Sequence, residues 1–121
     1  ATALEWYLKA AAQGDPDAQH AAGLMYRHGR GVEENFTIAV EWWSKAAAAG
    51  LADAQYDIGV CYEHGRGVEQ NYAIALDWYH QAAVQAYPGA LRAVGTFYDG
   101  GRGVEQNDAT ALEWYLLAAA E

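Results

Sequence analysis

The chain is short of several things, and each shortage removes a class of answer. It has one cysteine, Cys61, so no intrachain disulfide can staple it and its stability must come from packing. It has two prolines and no apolar run near the ~20 residues of a membrane-spanning helix. No signal-peptide pattern opens it. Basic residues are scarce: seven Lys and Arg stand against sixteen Asp and Glu, a formal net charge of −9. That balance argues against nucleic acid, whose binding needs clustered cations to displace counterions. It suits a basic partner or plain solubility. There is also no initiating methionine. Ala1 falls in mid-repeat, which reads as a piece excised from a longer array.

Apolar residues, by contrast, make up 53% of the chain, and five Trp with nine Tyr supply large surfaces for a core. Gly29-Arg30-Gly31-Val32-Glu33 returns as Gly65-Arg66-Gly67-Val68-Glu69 and as Gly101-Arg102-Gly103-Val104-Glu105, a step of 36 residues each time. Tyr26, Tyr62 and Tyr98 keep the same step, as do Trp42, Trp78 and Trp114, and Gly23, Gly59 and Gly95. A fixed period of this length marks stacked hairpin repeats.

Each unit carries two apolar patterns at helical spacing. A first helix is expected from about Pro16 to His28, started by Asp15-Pro16 and stopped by Gly29; Gly65 and Gly101 are the equivalent stops. A second helix starts after Asn35, Asn71 and Asn107, a favoured cap residue each time. Residues 1–14 form a lone helix, Ala3 to Ala12, whose opening Ala-Thr-Ala-Leu-Glu-Trp-Tyr-Leu recurs at 109–116. The fold is therefore all-α, a solenoid of about seven helices. It is divided into a preceding second helix (1–14) and three repeats at 15–50, 51–86 and 87–121. The helix-interior glycines imply close helix approach, and Trp42, Trp78 and Trp114 are expected in the core. Replacing one with alanine should then cost ~3–5 kcal/mol.

The pattern Ala18-x4-Gly23-x2-Tyr26-x2-Gly29-x-Gly31-Val32, then Asn35-x3-Ala39-x2-Trp42-Trp43-x2-Ala46-Ala47, resembles the Sel-one-like repeat, a relative of the tetratricopeptide repeat. The resemblance spans essentially the whole chain. It implies antiparallel helix pairs stacked in a right-handed superhelix, with first helices lining a concave face. It also implies an adaptor or scaffold role, and a bacterial cytoplasmic, periplasmic or secreted setting. One branch of the family carries a disulfide in each repeat; the cysteines for it are missing here.

Catalytic and cofactor readings find little support. The Gly-Arg-Gly loops lack a full phosphate-binding pattern and follow no strand. Their arginines should meet a carbonyl or Glu33, Glu69 and Glu105. His20, His28, His64 and His80 lack the spacing of a metal shell. Cys61 sits on a packing column, and Glu63 with Asp99 is an unspecific carboxylate pair. No cofactor or metal is expected, and no enzymatic activity. The columns that vary while the scaffold repeats form one stripe on the first helices: Asp17, His20, Leu24, Arg27 and His28; Asp53, Tyr56, Val60, Glu63 and His64; Gly89, Arg92, Thr96, Asp99 and Gly100. Aromatic, apolar and charged groups mixed in this way suit a groove for a protein or peptide partner. The alternatives are a structural spacer or oligomerisation array and, behind it, a small-molecule or enzyme site in the groove. Leu8, Leu116 and Leu117 offer a second surface, for self-association through the terminal helices.

Overall fold

The computed structural model describes residues 3–120. Among them are seven helices and no strand: α1 (Ala3–Ala12), α2 (Pro16–His28), α3 (Phe36–Ala48), α4 (Ala52–His64), α5 (Tyr72–Ala83), α6 (Pro88–Gly100) and α7 (Asp108–Ala119). Local chemistry sets their ends. The side chains of Asn35, Asn71 and Asn107 each accept a bond from a backbone N–H three residues on, at 3.0 Å. This satisfies one donor that the first turn would otherwise leave open. Asp15 does the same for Asp17 at 3.1 Å, ahead of Pro16. Leu51 and Tyr87 stand at the corresponding starts of α4 and α6 without a side-chain cap bond. At the other end Gly65 takes φ 69°, and its N–H turns back to the Cys61 carbonyl. That left-handed stop disfavours residues with a Cβ.

The helices pair as hairpins α2/α3, α4/α5 and α6/α7, and each hairpin packs on the helix before it. Two cores result. One gathers Ala39, Trp43, Ala46, Ala47, Ala54, Ile58 and Cys61 between α3 and α4. The other gathers Ala75, Leu76, Tyr79, Ala82 and Ala83 with Ala90, Leu91, Val94 and Phe97 between α5 and α6.

The rings that close each hairpin are not those the repeat pattern singles out. Trp42, Trp78 and Trp114 are only half-buried. The inward ring is the next residue along: Trp43 and Tyr79 are 0% and 1% exposed, and Tyr115 takes the same place in α7. The cause is the glycine opposite. A Cβ on Gly59 would lie 2.7 Å from the Tyr79 ring, and one on Gly95 would lie 2.8 Å from Tyr115. Gly23 leaves the same hole for Trp43. The glycines thus do mark close helix approach, as expected, but their counterpart is the 43/79/115 column. Trp78 and Trp114 lie one step round the helix and pack on the edges of the two cores. Trp42 lies under the Lys45 ammonium, 4.6 Å from the ring centre.

Candidate functional site

Side chains tie the first helices together across repeats. His20 of α2 meets Asp57 of α4 at 2.6 Å, and the Trp43 indole N–H donates to the His20 carbonyl at 3.1 Å. His20 is therefore engaged in joining two repeats. Leu24 packs on the first core. Arg27 lies 6.0 Å from the Phe36 ring and contacts His28 at 3.1 Å. Asp17 and His28 are exposed.

The middle and third repeats behave differently, because there the stripe opens into a cleft. Tyr56, Val60, Glu63 and His64 of α4 form one wall, and Gly89, Arg92, Ala93, Thr96 and Phe97 of α6 form the other, with Tyr79 of α5 between them. The volume is about 310 Å³. Most of these residues belong to the stripe read from the sequence; Ala93, Tyr79 and Phe97 do not. Asp53 and Asp99 are exposed and do not line it. Two larger depressions, about 450 and 520 Å³, lie beside the Glu69–Asn71 loop and beside Trp42. The second is walled by α3 alone, so it is a helix surface and not a site between elements.

Aromatic contacts shape the cleft. Tyr56 packs at 5.5 Å from Tyr79 and 5.1 Å from Tyr87, centre to centre. Tyr79 meets Phe97 edge-on at 5.4 Å. Gly89 leaves room for the Tyr56 ring, which a Cβ there would approach to 3.0 Å. Glu63 is held from two sides: the Tyr79 hydroxyl donates to it at 2.6 Å and Arg102 at 3.3 Å. Burial, and then the bond to Glu63, push the Tyr79 phenol far above its ordinary range. Burial and the Asp57 carboxylate raise Tyr56 as well. The Tyr115 hydroxyl donates to Thr96 at 3.3 Å, and Thr96 in turn donates to the Arg92 carbonyl at 3.0 Å. The result is a fixed aromatic floor with Arg92 exposed at its rim.

Hairpins of this length, capped by Asn and closed by Gly-Arg-Gly loops, match the Sel1 repeat model at residues 1–15, 16–51, 52–86 and 88–121. The chain belongs to the Sel1 repeat family. It is similar to a protective antigen of uropathogenic Escherichia coli strains displaying an SLR fold, at 38% identity and a TM-score of 0.94. That match covers 96% of this chain and 25% of the antigen. A Sel1 repeat protein from Oxalobacter formigenes is 41% identical with a TM-score of 0.87, over 90% of this chain and 45% of its own. The chain thus spans a quarter to under half of these two relatives. Helicobacter pylori cysteine rich protein B shares the fold, with a TM-score of 0.77 at 17% identity, over 97% of this chain and 86% of its own. No curated protein matches the chain.

Sel1 repeat proteins are generally non-catalytic scaffolds for protein interaction. In this one the loop arginines do not meet the glutamates that follow them in the loop. Arg102 reaches back to Glu63 and over the Tyr72 ring at 5.6 Å, and Arg66 lies 5.9 Å from Phe36. Arg66 and Arg102 thus hold the second and third hairpins against the one before. The preceding second helix starts directly beneath the loop: a Cβ on Gly67 would lie 2.7 Å from the Phe36 backbone, and one on Gly103 would lie 2.8 Å from that of Tyr72 and Ala73.

The other titratable groups fit packing roles. Cys61 is 2% exposed, and burial pushes its thiol up to about 11, which suppresses the nucleophilic thiolate. His80 meets the Trp114 ring at 5.5 Å, and burial lowers its basicity. No group of three metal-ligating side chains exists among the described residues. Nor is any described helix long and apolar enough to cross a membrane.

Proposed function

We propose that this chain is a protein-interaction module whose α4/α6 cleft receives an extended segment of a partner protein. The observation that carries the reading is the convergence, in one cleft, of side chains that differ between repeats while the scaffold around them repeats. Tyr56 and Val60 on the α4 wall, above the floor of Tyr79 and Phe97, offer an apolar place for one partner side chain. Arg92, His64 and Thr96 at the rim can fix its polar neighbours. The aromatic rings are locked by each other and by Glu63, so little conformational freedom is lost on binding.

Selection of peptides from a displayed random library against the immobilised chain tests this. Enriched peptides should bind at least ~10-fold more weakly to Arg92→Glu and to Val60→Glu, the loss that one disrupted anchor implies. Circular dichroism should show both variants still helical. A chain that enriches no peptide, or enriches peptides equally indifferent to both changes, is a spacer.

A further inference from the structure

Charge is distributed unevenly between the molecule and its cleft. The whole chain is acidic, at −9, and on that count alone suits a basic partner. The carboxylates around the α4/α6 cleft are, however, engaged or set aside. Glu63, which lines it, takes bonds from the Tyr79 hydroxyl and from Arg102. Asp57 is held by His20 at 2.6 Å. Asp53 lies outside the lining, beside the Tyr87 phenol. Asp99 is outside it too, two turns along α6 from Arg92. That is about 10 Å at the helical rise, a distance at which exposed charges are largely screened.

The cations show the opposite pattern. Of the seven Lys and Arg side chains, five rest near an aromatic ring: Lys9, Arg27, Lys45, Arg66 and Arg102. Arg30 is exposed on a loop. Arg92 is the one of the seven that lines the cleft. It is exposed, and among the described residues no carboxylate pairs with its guanidinium. Its charge reaches across the cleft, where it opposes the upward push that burial and Asp57 give the Tyr56 phenol.

We infer that the cleft selects an acidic partner segment, one in which an Asp or Glu stands next to an apolar residue; this rests on the reading of the cleft as a partner site. In an extended chain successive side chains point to opposite sides. An apolar side chain laid against Tyr56 and Val60 on α4 therefore turns its neighbour towards α6, where Arg92 stands. A carboxylate there forms a charge-assisted pair with the guanidinium fork. The apolar walls lower the local dielectric and strengthen that pair. A basic neighbour instead meets Arg92 with like charge and finds Glu63 already occupied. The net charge acts from further away and is weakened by salt, whose screening length is about 8 Å at physiological strength.

Three displayed peptide libraries test this, each with a fixed leucine whose neighbours are restricted to Asp and Glu, to Lys and Arg, or to Asn and Gln. The immobilised chain should enrich peptides from the first library above the other two. Their affinity, measured by fluorescence anisotropy, should fall ~10-fold or more with Arg92→Gln, the loss of one hydrogen-bonded charge. Arg92→Lys keeps the charge and should recover part of that loss. Arg92→Glu should shift enrichment to the Lys and Arg library. Preferential enrichment of the basic or the amide library by the unmodified chain overturns the inference. If those peptides lose affinity with Val60→Glu, the cleft is still a partner site, with a different preference. Acidic binders indifferent to Arg92→Gln overturn the inference as well, because the carboxylate is then read elsewhere. No enrichment from any library overturns both the inference and the reading it rests on.

Discussion

Trp42 and Trp43 are adjacent in the chain and differ sharply in surroundings. Trp43 is 0% exposed, fills the space left by Gly23 and donates its indole N–H to the His20 carbonyl. Trp42 is half-buried and borders an open depression beside Lys45. Truncating Trp43 to alanine leaves a cavity as well as losing buried area, so Trp43→Ala should destabilise by ~3–5 kcal/mol. Trp42→Ala should cost only about 1–2 kcal/mol, since its ring keeps one side in water in either state. Urea melts of the two variants check the order, and equal losses would mean that both rings are core. The repeated column is thus not the more buried one. In α5 and α7 the inward residue is tyrosine, which hides the column from a search for identical residues.

Among the elements, the starts and stops of helices were legible because they are local. Asn35, Asn71 and Asn107, with Gly29, Gly65 and Gly101, act within a few residues of themselves. The stripe on the first helices was legible for the same reason, through helical periodicity. Its partners were not. His20 meets Asp57 and Arg102 meets Glu63 at separations of 37 and 39 residues, and such pairings depend on how one hairpin sits on the next. The cleft floor, Tyr79 and Phe97, comes from neighbouring columns that the stripe does not contain. One short connection carries a further signal. Gly14 and Gly50 take φ of 92° and 93° between hairpins, but the equivalent residue before α6 is Ala86, at φ 60°. An L-residue there is strained by ~1–2 kcal/mol. Glycine relieves that strain while making the unfolded chain somewhat freer. Ala86→Gly should therefore raise stability by about 0.5–1 kcal/mol. A thermal melt of this variant should show a higher midpoint; a lower one would mean that the turn is not held in the left-handed region.

At the scale of the whole molecule, the two cores that flank α4 hold groups that are neutral in the fold and resist ionising: Cys61 in the first, Tyr79 and Tyr87 in the second. Burial, with Asp57 next, pushes the Cys61 thiol from 9.0 up to about 11. Burial and the carboxylates of Asp53 and Asp57 push the Tyr87 phenol from 10.0 up to about 12. Tyr79 is raised further still. A group whose folded value lies above its unfolded one keeps its proton in the native state while the unfolded chain has already lost it. Between the two values the unfolded state binds fewer protons, so stability must fall as pH rises. The contribution of these groups is complete below about pH 9 and is lost progressively as pH climbs through 9 to 12. Urea midpoints measured on both sides of that window should fall steeply. Tyr79→Phe separates the cause from general alkaline repulsion in an acidic chain. It removes one of the titrating phenols and its bond to Glu63, so the variant should be weaker at neutral pH by about 1 kcal/mol. It should then lose stability less steeply in alkali, narrowing the gap to the parent. If the two curves stay parallel through the window, the phenol is ionising freely and the junction between the middle and third repeats is wetter than its packing implies.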